Sequence, residues 1–463
     1  MLAGTLLVSL GLGCTGFTLG ENFAGQDTPM RYGAIAVDHV TEKVFTVVDG
    51  PDDAAALGED GAPMVPSQVV QVDPDTFEPR VLARLDGRED PRMLFPEAGL
   101  LLLSERNGRE VFQLFDRHTH QPKAFTTLDS RYWGTRSSPS RRWIAVADQT
   151  TYDIHILDPE TLNLRVIPHD AQWLEAMWLN NQDRLLVVLW YHGDDFHPTG
   201  ARLLAWDVTP ELLSKPTTDG LWPDAALDVF VEGFQPDALF SFTWIGVSPD
   251  DRFAAFPMLS TDPDLDEPHR VLLLDTTTGE VREVPNTRGP VGFTPDGRTM
   301  VSYAGAWDAS GEEVGQRLVL VDTETLERQE VGDPIQGLQY FVTHEGAYVV
   351  AAAILDESQT VILHDLDSGR SSSLGGAGVS LNEFVSHPDT GELFIASDGD
   401  LWRLDVWAGT LDQVPMPFDT HTLNLLPQRD LLVTRSTPDR QVLHFIDIGD
   451  GGISPAVRLP EPD

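Results

Sequence analysis

The chain is predicted to be all-β, a single β-propeller of four-stranded blades, eight or nine of them. Three observations predict this. First, a run of strand-formers that ends in Asp and is followed three residues later by Thr or Ser recurs along the chain: Asp73 with Thr76, Asp116 with Thr119, Asp158 with Thr161, Asp275 with Thr278, Asp322 with Thr325, and Asp365 with Ser368. Most neighbouring markers lie about forty residues apart, the length of one blade. Second, a tight turn precedes many of the markers, at Ser138-Pro139-Ser140-Arg141, Ser248-Pro249-Asp250-Asp251, Thr294-Pro295-Asp296-Gly297 and His387-Pro388-Asp389-Thr390. Third, strong helical periodicity is absent, while Gly and Pro punctuate many short apolar runs.

The marker is a turn for a physical reason. An Asp carboxylate can accept hydrogen bonds from backbone N–H groups two or three residues on, and a Thr or Gly then closes the reversal. Pro at the second position of the other turn pre-sets φ. Each unit is therefore read as strand a, tight turn, strand b, variable loop, strand c, Asp hairpin, strand d. Looser copies at Asp207, Asp405 and Asp447 bring the markers to nine, all assigned a structural role in turns. Propellers usually have about four to eight blades, so one quartet is expected to be irregular. Length alone would suggest about three domains, but an unbroken repeat argues for one ring.

The runs Val271 to Glu280 and Leu318 to Thr325, with the turn at Ser248, resemble the YVTN and TolB-like groups of bacterial propellers, relatives in shape of the WD40 repeats. The resemblance covers nearly all of the chain after residue 30, and what it implies is architecture. A Trp-Asp pair of the WD40 kind occurs at Trp206-Asp207.

The formal charge is -42, from 73 acidic and 31 basic residues, with lysine only at Lys43, Lys123 and Lys215. Phosphate binding needs a basic surface, so nucleic acid is excluded as a partner. Two readings of the acid excess remain: a solubility or salt-tolerance feature spread over the surface, or a concentrated face that binds cations or a basic partner.

Residues 1–13 are small and apolar, too few to span a bilayer, and Cys14 follows as the only cysteine. This reads as a signal peptide (1–13) ending in a lipobox, with a lipidated Cys14 and tether (14–30) before the propeller (31–463). No Lys or Arg precedes the run, which suggests a start upstream of Met1. Gly11, Gly13 and Gly16 spell a dinucleotide fingerprint, yet no helix follows for it to open.

The variable b-to-c loops differ between blades. Blade 1 has Asp49, Asp52, Asp53, Glu59 and Asp60; blade 4 has His192, Asp194, Asp195 and His197; blade 5 has Asp262, Asp264, Asp266 and Glu267; blade 6 has Asp308, Glu312 and Glu313; blade 7 has Asp356 and Glu357. Strand geometry places these loops on one face, opposite the tight turns, and makes that face acidic.

Asp262, Asp264 and Asp266 alternate like the first ligands of a calcium loop, but Glu267 stands where the sharp turn needs Gly and Pro263 stiffens the start. His192, Asp194, Asp195 and His197 have donor types suited to zinc, although such a loop is more often merely polar. No Gly-x-Ser-x-Gly elbow or His-Glu-x-x-His motif occurs, and no room remains for the hydrolase domain that the TolB-like resemblance invites. Trp173, Trp178, Trp244 and Trp307 could line a sugar-binding surface, with packing between blades as the default.

The sequence thus favours a lipid-anchored, extracytoplasmic propeller of the cell envelope, on the periplasmic face or cell surface. It would act as a binding or assembly platform for an envelope protein, touch the membrane only through its anchor, and have no catalysis of its own. The alternatives are a metal-dependent hydrolase of the propeller lactonase kind, with calcium or another cation at the acidic face, and a cell-surface carbohydrate binder.

Overall fold

A computed structural model describes residues 28–460 apart from 30–34, 39, 50–55, 58–62, 65–66, 86–91, 107–108, 129–131, 139, 149–150, 152, 168–172, 193–197, 215–224, 237–245, 261–268, 308–312, 343–347, 356–357, 376–378, 380–382, 438–441 and 450. The chain is a β-propeller of nine four-stranded blades with almost no helix. The blades occupy residues 35–85, 92–128, 132–167, 173–232, 234–285, 290–335, 336–373, 383–414 and 419–458 in order. Blade 1, for example, is Ile35–Asp38, Lys43–Asp49, Ser67–Val72 and Pro79–Leu85, paired antiparallel in sequence order.

The core is divided into nine apolar clusters, one in each interface between neighbouring blades. Strand alternation builds them. In Lys43–Asp49, Val44 and Val48 face blade 9, while Phe45 and Val47 face blade 2. A strand buried on both faces needs apolar residues at consecutive positions, which is why Leu100 to Leu103 reads as an unbroken run. The cluster holding Val44, Val70, Val433, Leu443 and Phe445 joins the last blade to the first and closes the ring.

Among the described residues no strand is exchanged at this closure: blade 1 is built from the N-terminal side and blade 9 from the C-terminal side. Side chains bridge the seam instead. The buried Arg435 guanidinium donates to the Val47 carbonyl at 3.0 Å and to Thr46 Oγ1 at 3.2 Å. Asn424 Nδ2 donates to the Ile35 carbonyl, and Gln68 Nε2 to that of Pro460.

Four blades depart from the regular quartet. Blades 6 and 7 share the continuous strand Arg328–Val342, which ends one and begins the other. In blade 5 the innermost position is split between Phe234–Pro236 and Gly246–Val247, both paired with Phe253–Ser260. Blade 2 carries a fifth, inner strand, Thr28–Pro29, paired with Arg92–Leu94.

Candidate functional site

All nine marker aspartates sit where strand c ends. The Asp322 carboxylate accepts from the N–H groups of Glu324 (2.9 Å) and Thr325 (2.7 Å), and the Thr325 N–H holds its carboxyl below the usual carboxylate range. Asp73, Asp116, Asp158, Asp275, Asp365, Asp405 and Asp447 make the same kind of turn. Asp207 differs: its strand leads into the short helix Pro210–Ser214, and its carboxylate takes Arg184 Nε at 2.7 Å.

The four-strand order places the a–b and c–d turns at one end of every blade and the b–c and d–a links at the other. On the turn face, a second pattern runs from blade to blade. The a–b turns of blades 1, 4, 5 and 9 each hold an acidic residue in the left-handed region: Glu42 (φ 52°), Asp183 (φ 58°), Asp251 (φ 61°) and Asp430 (φ 52°). Each accepts a donor from the a–b turn of the preceding blade. Arg429 Nε reaches Glu42 at 2.6 Å, Ser140 donates to Asp183, Asn181 Nδ2 reaches Asp251 at 3.1 Å, and His387 Nε2 lies 3.0 Å from Asp430. Sequence reasoning missed this girdle. Its signal was Asp or Glu where a tight turn ordinarily takes Gly.

Between blades 5 and 6 the turn face has a cleft of about 420 Å³, lined by Asp250, Arg252, Asp296, Arg298 and Glu324 among others. Its charges are engaged locally. Arg252 lies 4.6 Å over the Phe253 ring and pairs with Asp275 and Glu324, while Asp296 accepts from Thr294 Oγ1 and the Arg298 N–H. The cleft therefore works as a clamp between blades.

The opposite face carries the variable loops. The segments between strands b and c at 50–66, 193–197, 261–268, 308–312 and 356–357 contain Asp and Glu but not one Lys or Arg. Of the predicted metal residues, Asp262, Asp264, Asp266, Glu267, Asp194, Asp195 and His197 lie outside the described residues, as does Cys14. His192 ends the strand Arg184–His192, opposite Pro198. No cluster of three or more potential metal ligands occurs among the described residues.

Two described features stand at the loop-face ends of strands. In blade 3, Asp148 and His155 are both buried with His155 Nε2 3.7 Å from the carboxylate; neither His155 nitrogen makes a hydrogen bond, and burial pushes its pKa down against the pull of Asp148. In blade 6, Trp307 is 50% exposed, with the Arg288 guanidinium 5.9 Å from its ring centroid. Trp178 instead packs between blades 4 and 5, the default role for Trp here. Trp173 begins the strand Trp173–Leu179, opposite Trp190, and Trp244 lies outside the described residues.

Comparison with known proteins supports the architecture. No known sequence family matches the chain, and no curated protein matches it. Among solved structures it is similar to that of a eukaryotic initiation factor, with TM-score 0.55 and 11% identity over 85% of this chain and 94% of that one. Weaker likenesses include the dihydro-heme d1 dehydrogenase NirN (TM-score 0.48, 14% identity, 92% of this chain and 75% of that one) and apo AztD from Citrobacter koseri (TM-score 0.44, 12% identity, 90% and 96%). Identities this low speak to fold alone.

Proposed function

We propose that this chain is a lipid-anchored, extracytoplasmic propeller that acts as a non-catalytic platform, docking a basic envelope protein on its acidic loop face. The carrying observation is the division of charge between faces. The marker aspartates and the girdle carboxylates of the turn face are engaged in turns and between blades, whereas the five variable b–c segments hold acid with no Lys or Arg among them. An acidic surface on a rigid scaffold steers a cationic partner and makes its capture sensitive to salt. Cys14, the only cysteine, directly after an apolar run, supports the anchor.

The test is capture from envelope extracts by the full-length protein and by a variant with Asp262, Asp264, Asp266, Asp194 and Asp195 changed to Asn. The proposal expects a basic protein retained at low salt, released at high salt, and absent with the variant. Turnover of lactones or esters abolished by the same substitutions would replace the platform with the hydrolase reading.

One observation favours a carbohydrate reading in second place: Trp307 stands half-exposed on the loop face. Such a ring offers a flat apolar surface to a sugar. Glycan binding lost in Trp307→Ala, with partner capture intact, would select that reading.

A further inference from the structure

We infer that the turn face of blades 8, 9 and 1 rests on the lipid surface, which directs the acidic loop face away from the membrane. This deepens the reading of Cys14 as an anchor and rests on it. The first observation is topological. Thr28–Pro29 pairs antiparallel with the innermost strand of blade 2, Thr28 opposite Met93 and Pro29 opposite Arg92. Arg92–Leu94 runs from a d–a link toward the a–b turn, that is, from the loop face to the turn face. Its antiparallel neighbour therefore runs the other way, and the chain before Thr28 joins it at the turn-face end.

Only residues 15–27 separate Cys14 from this point. At roughly 3.5 Å per extended residue they reach at most about 45 Å. The chain that leads from the anchored Cys14 thus arrives at the ring from its turn-face side.

The second observation is independent of the first. Among the described residues three large apolar side chains are exposed on the turn face, and they come from three adjacent blades: Trp407 (56%) in the c–d turn of blade 8, Ile453 (39%) in the c–d link of blade 9, and Val40 (55%) in the a–b turn of blade 1. Trp407 is braced edge-on by Tyr348, ring centroids 5.5 Å apart. A Trp with an apolar body and a polar N–H suits the headgroup boundary. Blade 1 adjoins blade 2, so these side chains and the entry of the chain share one sector.

Charge selects the same orientation. Five b–c segments of the loop face, at 50–66, 193–197, 261–268, 308–312 and 356–357, carry acid without Lys or Arg, and anionic headgroups repel such loops. The turn face carries Arg142, Arg184, Arg252 and Arg429, each paired with a neighbouring carboxylate.

The test places single reporters on the full-length protein reconstituted in phosphatidylethanolamine and phosphatidylglycerol vesicles containing a headgroup spin label. Trp407→Cys and Val40→Cys report the turn face and Trp307→Cys the loop face, each carrying an environment-sensitive dye. Mass of the N-terminal peptide reports acylation of Cys14. The expected result is loss of fluorescence at 407 and 40 and none at 307. Quenching at 307 alone, or at no position in acylated protein, overturns the orientation and leaves the anchor standing. An unmodified Cys14 with no vesicle association fails the anchor itself, and the orientation with it. Dye self-quenching at 407 or 40 in detergent, without lipid, assigns that face to a second copy of the chain and overturns the inference.

Discussion

Asn181 of blade 4 holds Asp251 of blade 5 twice, its backbone N–H at 3.2 Å and its Nδ2 at 3.1 Å from the same carboxylate oxygen. Asp251 is buried and sits at φ 61°, a backbone conformation that glycine tolerates better than any side chain. The side chain is retained there because the neighbouring blade uses it. A double-mutant cycle on Asn181→Ala and Asp251→Ala is therefore expected to show coupling of about 1 kcal/mol. Asp251→Gly should be milder than Asp251→Ala by roughly 1 kcal/mol, because only the alanine keeps the strained φ. Equal cost for the two would mean that strain at this position is immaterial.

The seam depends on Arg435. It is buried in blade 9 and donates to blade 1, so Arg435→Met would leave the Val47 carbonyl without this donor at the closure. A loss of roughly 2–4 kcal/mol is expected. Because strands are not exchanged, blades 1 and 9 should show the earliest loss of protection in hydrogen exchange of this variant. Uniform loss around the ring would argue that the seam is not the weak point.

The marker turns contain a natural experiment. The fourth residue after the Asp has positive φ in eight blades, and it is either Gly (Gly279, Gly369, Gly409, Gly451) or a larger residue (Phe77, His120, Leu162, Leu326). The larger residues pack toward the preceding blade: Phe77 lies 5.2 Å from Phe445 and His120 lies 5.8 Å from Phe45, centroid to centroid. Phe77→Gly should therefore destabilise by about 1–2 kcal/mol despite relieving strain. A Cβ at Gly409 would meet nothing within 4 Å, so Gly409→Ala should cost about 1 kcal/mol with no packing to offset it. Thermal midpoints of the two variants decide the matter.

Stability should fall with acid in two windows. Burial pushes the His364 pKa down to about 4 from 6.5, while its Nδ1 lies 2.7 Å from Ser371 Oγ. The folded state then binds fewer protons than the unfolded one. The contribution is complete above pH 6.5, falls as pH drops toward 4, and amounts to roughly 3 kcal/mol. His155, His120 and His444 are lowered by burial in the same direction. A second loss follows below pH 3.8, where the depressed marker carboxylates such as Asp322 and Asp365 become protonated. His364→Phe should flatten the first window and leave the second. An unchanged pH profile would remove His364 as its source.

As a platform without a resident cation, the full-length protein should keep its melting midpoint on chelation and on addition of calcium or zinc. A ligand that binds only the folded state would raise that midpoint with concentration. Stoichiometric metal lost in Asp264→Asn with Asp266→Asn, or in His192→Ala with His197→Ala, would reverse this expectation.

The architecture was legible because it rests on local rules repeated along the chain. Asp322 and its equivalents bend the backbone through contacts two or three residues away, and Leu318 to Val321 is apolar at every position because both faces of its sheet are covered. Nine markers became nine blades. Tertiary structure alone decided the partners that lie far apart in sequence. Asp251 looks like an ordinary turn residue until Asn181 is placed beside it, and nothing local announces that Arg435 reaches Val47 or that Thr28 enters from the turn face. Short-range hydrogen bonding writes the blade and its two ends into the sequence; the closing of the ring, which brings residue 435 to residue 47, writes the latches.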